Sequence, residues 1–596
     1  MDVEAGKKRG YDGEGRGGFS YLGGPGETRV FRTVWMMIAC MTLPTLVFVS
    51  GTYRPLLPLI VGAYQGRSQH QPQQQQREEP AVDAGEFAPP PRWTDLKELF
   101  ISYQFTCFES ADAVFHAVSD VPRDKYLAGL LSADFDEDTC QSRYQSTIYR
   151  KPSPHKPSAY LIQTLRKYED RHRRCAPHTA PYNKTLPFLN PGPAPEKETE
   201  CKYVLWTPAY GLGNRILSLT SAFLYALLTD RVVLINRGSD MTSLFCEPFP
   251  DTTWLLPPDF PISDFAPYRR PHPLRYGNLL RNKNISTESD DGRPPPSFVY
   301  FHLDHDYDTE DMHFFCEPDQ AILRKVPWLF LRSNMYIVPS FFLNQEFEPK
   351  LGRMFPEKEA VFHHLSRYLF HPTNEVWGMV TRYYKSYMAM ARERLGIQIR
   401  VFNSKDAPFD VVSKQVINCT LQEGLLPKLD ANARAGDTAT DPTKTKSVLL
   451  TSLYSGYFDK IKDMYWEHPA VGGVVLSMHQ PTHEERQQTD KESHDLKAWA
   501  EINLLSLADV LVTSAWSTFG YTGQGLGGIT PWILLLPKKG EMPEPTCVRD
   551  ISMEPCFLTP PSYVCREKRN GDNGKVVPFV THCTDAGRGL KLVDRT

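Results

Sequence analysis

The hydrophobic pattern changes character at Tyr203. From there the chain reads strand, tight turn, helix, strand. YVLW is a short apolar run, followed by Gly211-Leu-Gly-Asn-Arg215 and then ILSLTSAFLYALLTD. That segment places Ile216, Leu219, Phe223, Ala226 and Leu227 on one helical face, and RVVLIN (231–236) reads as the next buried strand. This is a βαβ unit, which predicts a parallel sheet with helices on its faces. A second series begins near residue 396. Its strands are GIQIRVF (396–402), SVLLTSL (447–453), GGVVLSM (472–478), DVLVTS (509–514) and WILLLP (532–537). The clearest helix between them is KESHDLKAWAEINLLSLAD, with Leu496, Trp499, Ile502 and Leu505 on one side. Residues 243–395 are aromatic-rich and carry no readable period. The expectation is an α/β protein with two halves. Ligands of open α/β sheets bind at the carboxyl ends of the strands, so chemistry is sought in the loops there.

The first part of the chain reads as an address. Residues 1–32 are Gly-rich and polar, with six Lys/Arg, and Val34–Ser50 carries no charge. One span needs about 20 apolar residues. The basic residues lie ahead of the apolar run, and only Arg54 and Arg67 follow closely, which predicts a cytosolic N-terminus. No small-residue cleavage site follows, which disfavours a signal peptide. The expected layout is a cytosolic tail (1–32), a membrane anchor (33–50), a stem (51–95), an N-terminal α/β domain (96–380) and a C-terminal Rossmann-like domain with a Cys-rich tail (381–596). The stem contains QGRSQHQPQQQQREEP, a Gln- and Pro-rich stretch that cannot bury a core.

Composition then narrows the classes. The 596 residues hold 67 Lys+Arg against 70 Asp+Glu, for a net charge of −3. That balance is unlike a dedicated nucleic-acid binder. A mean hydropathy of −0.41 excludes a multi-span transporter. Of 12 Cys, none forms a C-x-x-C pair, so zinc ribbons and redox motifs find no support. In an oxidising compartment the expected pairs lie among Cys547, Cys556, Cys565 and Cys583, with at least one of the eleven thiols after the span left over. Sequons at Asn183, Asn284 and Asn418 agree with a lumenal chain.

Five constellations carry candidate chemistry. Gly211–Arg215 opens a helix after a strand, a place where backbone amides meet anions; the plainer reading is a tight turn with Asn214 as a cap and Arg215 solvated. Arg400 ends an apolar strand, where a guanidinium is costly unless it meets an anion, phosphate included, or an internal carboxylate. Ser514–Gly528 gathers hydroxyls, amides and glycines at a strand end, as a phosphate cradle or as a structural turn. His479-Gln-Pro-Thr-His483-Glu-Glu-Arg486 follows another strand; it lacks the H-E-x-x-H spacing of a zinc site. Asp304-His-Asp306 is a D-x-D, a pattern that holds a divalent cation in some sugar-nucleotide enzymes, yet it falls outside both clear βαβ series.

Taken together, GLGNRILSLTSAFLYALLTDRV, LFCEPFP, the LDHDYD region, RYLFHPTNEVWG, GIQIRVF, HQPTHEERQ and SAWSTFGYTGQGLGG resemble the plant fucosyltransferase family typified by xyloglucan fucosyltransferase. The matches run in order over roughly residues 200–560. The resemblance implies a variant GT-B fold, two Rossmann-like domains facing a cleft. It implies metal-independent, inverting transfer of L-fucose from GDP-fucose to the 2-OH of galactose, with no cofactor beyond the donor. Arg400 then matches the diphosphate-binding Arg, and Ser517, Thr518, Phe519 and Gly520 the donor-binding turn. Asn214 and Arg215 match the loop facing the cleft, and His479, Gln480 and Glu484 lie near the donor. Asp304 and Asp306 are the candidate bases, with a dissociative route in which Arg400 stabilises departing GDP as the competitor.

The sequence departs from the family at Ser333-Asn334-Met335-Tyr336, where members read Asp-Asn-Tyr. Neutral Asn334 therefore replaces an acidic side chain on the acceptor side. The expected partners are GDP-fucose, a galactosylated polysaccharide and the Golgi membrane, crossed once with the bulk of the chain lumenal. No nucleic acid is expected, and a homodimer stays open because no interface pattern is readable. The competing readings are a transferase for arabinogalactan-protein or another galactosylated glycan, a weakly active GDP-sugar or glycan-binding relative, and a metal-dependent transferase built on the D-x-D.

Overall fold

The computed structural model describes residues 124–594, apart from 239, 286–293, 431–439 and 490. The expected anchor and stem lie outside the described residues, as do Cys40 and Cys107. Among the described residues no helix is long and apolar enough to cross a membrane. The described residues belong to one compact unit spanning Phe115–Thr596.

The first sheet has four strands: β1 (Tyr203–Thr207), β2 (Val232–Ile235), β3 (Phe298–Leu303) and β4 (Trp328–Ser333), in the order β2-β1-β4-β3 and all parallel. Its strands are buried on both faces, which is why β1 and β2 read as unbroken apolar runs. Alternate residues serve different cores. Tyr203, Leu205, Val232, Leu234, Trp328 and Phe330 face one cluster, while Val204, Trp206, Val233, Ile235, Leu329 and Leu331 face a larger one. Helix α1 (Leu212–Leu228) crosses from β1 to β2 and is buried almost throughout. Strands β3 and β4 lie inside the stretch that showed no period. There, Phe298–Leu303 is aromatic-rich and flanked by long connections, which hides a strand from a periodicity search.

Helices α2 (Val361–Leu369) and α3 (Asn374–Tyr383) and a π-helical turn at Tyr384–Met388 lead into the second sheet. Its strands are β5 (Glu393–Ile399), β6 (Asp441–Ser452), β7 (Val474–His479), β8 (Val510–Ser514), β9 (Trp532–Leu534) and β10 (Cys547–Arg549), in the order β10-β9-β8-β5-β6-β7, with only β10 antiparallel. All five expected strands are present. Helix α4 (Phe409–Gln422) follows β5 and α5 (Gly456–Glu467) follows β6. The third helix, α6 (Glu492–Leu505), precedes β8, and α7 (Thr518–Gly527) follows it.

The two halves share the larger core. Phe223 and Ile216 of α1, Phe362 and Leu365 of α2, Trp499 and Ile502 of α6, and Tyr521 and Leu526 of α7 all belong to it. The chain beyond β10 returns to the first half. Glu554 accepts from the Tyr336 hydroxyl and the Phe362 amide, both at 2.6 Å. Cys565 is joined to Cys316. This corrects the expected cysteine pairing. Only Cys556–Cys583 forms within the tail, whereas Cys547 pairs with Cys419, and Cys140–Cys246 and Cys175–Cys201 complete the set. Sequence proximity suggested a local cluster, but the tail is tied back to distant segments.

A close backbone contact between the halves lies between the first turns of α1 and α7. A Cβ at Gly213 would stand 2.7 Å from the Thr518 carbonyl carbon and 2.8 Å from the Phe519 nitrogen. Backbone cannot yield as a side chain can, so Gly213→Ala should force the two helix starts apart. We expect a loss of about 1–3 kcal/mol, read as a lower denaturant midpoint, whereas Gly352→Ala, with open space around it, should stay near wild type.

Candidate functional site

A cavity of about 330 Å³ opens where the carboxyl ends of both sheets meet. The first half contributes Tyr210–Asn214, after β1. The second contributes Gln398–Arg400 and Phe402 at the end of β5, Thr451–Leu453 at the end of β6, Thr482 and Glu484 after β7, and Ser517–Phe519 after β8. The volume is at the lower end of the range for small-molecule sites.

Both helix starts that meet at Gly213 point at this cavity. Each follows an aromatic residue in the left-handed region, Tyr210 (φ 63°) before α1 and Trp516 (φ 63°) before α7. Such a conformation costs energy in a bulky residue and persists only where surroundings enforce it. Here it turns each strand sharply into its helix. At Ser517 the side chain accepts from the Gly520 amide at 3.4 Å, capping α7. The free amides of two helix N-termini thus converge on one space, an arrangement suited to an anion.

Arg400 supplies the fixed cation. It sits one residue beyond β5, and its amide donates to Ser514 Oγ at 2.9 Å. Its Nη2 donates to Gln487 Oε1 at 2.7 Å, and its guanidinium lies 5.5 Å from the Phe402 ring. Among the described residues no carboxylate pairs with it. Burial holds the Arg400 guanidinium below its usual range, with Tyr454 opposing. A partly buried guanidinium without a counter-charge is a site waiting for an anion.

Arg215 behaves differently. It is buried, and its Nη1 donates to both oxygens of Asp240 at 2.8 Å. Its Nη2 donates to Asp495, on α6. The guanidinium therefore faces two acids and not the cavity, neither solvated nor turned to a ligand. Burial, together with Asp495 alongside, pushes the Asp240 carboxyl up to about 6. Asn214 does not cap α1, which begins after Gly211. Its side chain reaches across the cleft instead. Thr518 Oγ1 donates to Asn214 Oδ1 at 3.1 Å, and Asn214 Nδ2 donates to the Asn334 carbonyl at 2.8 Å.

Of the other expected residues, Glu484, Ser517, Thr518 and Phe519 line the cavity, while His479, Gln480 and Gly520 do not. His479 packs at a tilt against Tyr387, with ring centroids 4.6 Å apart, and Gln480 donates to the Ser452 and Tyr454 carbonyls at 3.1 and 3.3 Å. A Cβ at Gly520 would press on Thr513 at 2.9 Å, so this glycine serves the close approach of α7 to β8. Gln398, Thr451, Ser452, Gln487 and Glu501 line the cavity without having been expected. Strand-end position alone could have pointed to the first three. Glu501 is on the buried face of α6, where no local pattern marks it.

The D-x-D corrects its expected place, for it follows β3 directly and so stands at a strand end of the first sheet. Asp304 is buried, and its Oδ2 accepts from Arg332 Nε at 2.8 Å. Asp306 is exposed, and its Oδ1 stands 2.9 Å from His302 Nε2, whose Nδ1 is 3.0 Å from the Tyr300 hydroxyl. Burial works against the charge on Asp306, but the His302 contact prevails and holds its carboxyl below the usual range. His302, Asp304 and Asp306 offer ligand-type atoms within 4.8 Å of one another, yet Arg332 already supplies a cation there. Among the sequons, Asn183 and Asn284 are exposed, whereas Asn418 is half-buried on α4 beside the disulfide-bonded Cys419.

This geometry, strand ends of two sheets enclosing a cation and two helix N-termini, defines a nucleotide-sugar transferase fold, and comparison with known proteins places the chain within it. The family model for xyloglucan fucosyltransferases matches residues 104–566, and the chain belongs to that family. It is 53% identical over 472 residues to a galactoside 2-alpha-L-fucosyltransferase of Pisum sativum, covering 79% of this chain and 82% of that one. A galactoside 2-alpha-L-fucosyltransferase of Arabidopsis thaliana is 52% identical over 481 residues, covering 80% and 85%. The solved structure of a variant of Arabidopsis thaliana FUT1 in complex with GDP matches with a TM-score of 0.73 and 51% identity, covering 79% of this chain and 100% of that one.

Glu501 allows a test of the site's electrostatics. It is buried and accepts from Thr482 Oγ1 at 2.7 Å, and burial pushes its carboxyl up to about 8. Between the ordinary value of 4.5 and about 8, the folded chain holds a proton that the unfolded chain has released. Stability therefore falls as pH rises through that window. Glu501→Gln removes this contribution. Relative to wild type, the variant should gain on the order of 2 kcal/mol at pH 8.5 and little at pH 5, measured by denaturant unfolding at both values. Glu554, likewise pushed up to about 8, leaves a residual slope in both proteins.

Proposed function

We propose that this chain is an inverting α1,2-fucosyltransferase that moves L-fucose from GDP-fucose to the 2-OH of galactose on xyloglucan side chains. The observation that carries the reading is Arg400, a partly buried cation without a carboxylate partner, beside two convergent helix N-termini. A nucleoside diphosphate is the group whose charge fits that space. The relatives named above support the transfer and the acceptor linkage.

In the reaction, the bond between fucose C1 and the β-phosphate oxygen breaks, and its electron pair leaves with GDP. The acceptor O2 attacks C1 from the opposite face and gives up its proton. Arg400 and the amides of Gly213, Asn214, Thr518 and Phe519 stabilise the charge that develops on the departing diphosphate. Ser517 and Glu484 complete the donor side. Both candidate bases on the acceptor side are already engaged. Asp304 is taken up by Arg332, and Asp306 is held anionic below the usual range. We therefore favour the dissociative route, in which leaving-group stabilisation does most of the work and the proton leaves late. The same reading makes the chain a metal-independent, single-pass type II protein of the Golgi membrane, glycosylated at its exposed sequons.

The test is a transfer assay on the full-length chain with GDP-fucose, EDTA, galactosylated xyloglucan oligosaccharide and arabinogalactan glycan. Transfer to the xyloglucan oligosaccharide should survive EDTA, and Arg400→Ala should lower kcat by about 10²–10³-fold. Transfer to arabinogalactan alone would move the acceptor and keep the reaction. Loss of all transfer in EDTA, restored by a divalent cation, would overturn metal independence.

A further inference from the structure

The acceptor side contains an assembly that neither the donor site nor the candidate bases explain. His305 is exposed and packs edge-to-face with Tyr210, ring centroids 5.7 Å apart, and Tyr210 lines the cavity. Asn334, which is buried, grips His305 twice. The His305 backbone N–H donates to Asn334 Oδ1 at 3.0 Å, and Asn334 Nδ2 stands 2.9 Å from His305 Nδ1.

The first of these bonds fixes the amide. A backbone N–H can only donate, so the atom it meets must be the carbonyl oxygen of Asn334. The other end of the amide is then the NH2 group, which can only donate. His305 Nδ1 must accept from it and so carries no proton. A neutral imidazole with a bare Nδ1 carries its proton on Nε2. The exposed end of the ring is therefore a hydrogen-bond donor.

The backbone carbonyl of Asn334, a different oxygen, accepts in turn from Asn214, whose own side-chain oxygen accepts from Thr518. A continuous set of hydrogen bonds thus runs from the α7 helix start, across both halves, to His305. Whatever seats Thr518 and Asn214 on the donor side also seats the ring.

We propose that His305 is an acceptor-binding residue that donates from Nε2–H to a sugar hydroxyl, and that Asn334 is the positioning residue that sets its tautomer. This rests on the transferase reading and deepens it. A neutral amide at Asn334 makes the exposed end of the ring a donor, whereas a carboxylate there would accept a hydrogen bond from Nδ1–H, leave Nε2 bare and change what the ring presents. Position 334 thereby becomes an element of acceptor choice, acting through His305 and not by direct contact.

The experiment uses the full-length chain, with galactosylated xyloglucan oligosaccharide as the probe. His305→Ala should raise the acceptor KM about tenfold and move the GDP-fucose KM by less than about twofold. His305→Gln, which keeps an N–H donor but cannot take a proton as imidazole does, should recover most of that loss with kcat near wild type. A fall in kcat of about 10²-fold or more in His305→Gln would make the ring a general base and overturn the proposal. An unchanged acceptor KM in His305→Ala would also overturn it. Separately, nitrogen NMR of ¹⁵N-histidine-labelled protein, assigned with His305→Gln, should show an unprotonated Nδ1 and a protonated Nε2. In Asn334→Asp, Nδ1 should gain a proton. A protonated Nδ1 in the neutral wild-type ring would overturn the tautomer whether or not the chain transfers fucose. A wild type without transfer to any acceptor would instead overturn the reading beneath it.

Discussion

The structure depends on one close approach, the packing of the α1 start against the α7 start. Gly213 stands so near Thr518 and Phe519 that no Cβ fits between them. Around this contact lies the buried set of Arg215, Asp240 and Asp495, which ties α1 to α6. Removing one partner of such a set leaves an uncompensated buried charge, far more costly than the set is worth in net stability. The charges therefore act chiefly as a register. They require α1 and α6 to meet in one way, beside the α1–α7 contact that brings two helix dipoles to the same cavity.

Much of this was legible in the sequence, for reasons that differ by element. The strands of the second sheet are continuous apolar runs bounded by Gly, Pro and charged residues, the form a doubly covered parallel strand must take. Arg400 stood out because a cation at the end of such a run needs an explanation. The turns at Gly211 and Ser517 were visible because glycines and hydroxyls cluster after a strand. Strands β3 and β4 were not visible, since Phe298–Leu303 and Trp328–Ser333 are short and rich in aromatics that would also suit a buried helix.

The misjudged residues share a cause. The resemblance puts Arg215 beside Asn214 in a loop facing the cleft. Along a helix, however, successive residues point about 100° apart, so Asn214 and Arg215 cannot share a surface. Asn214 crosses to Thr518, while Arg215 turns inward to acids distant in sequence. Glu501 was missed for the converse reason. It lies among apolar residues of α6 and reaches the cavity only because that helix packs beneath it. The cysteines were paired by nearness in sequence, yet the tail after β10 is drawn back to the first half by Tyr336, Phe362 and Cys316.

These arrangements bear on how a transferase of this kind divides its work. On the function proposed above, the donor side is the charged one, with Arg400 and two helix starts held by backbone contacts and a buried ion set. Among the described residues, both candidate bases after β3 are already engaged, Asp304 by Arg332 and Asp306 by His302. On that proposed function, a site built this way would lower the barrier where the leaving group departs and ask little of the nucleophile's proton. The acceptor side is then free to vary in what it binds without disturbing the chemistry. That freedom has a physical limit. Through Asn334 and Asn214 the acceptor side hangs on the same helix starts that hold the donor, so a change that moved those starts would move both sides together.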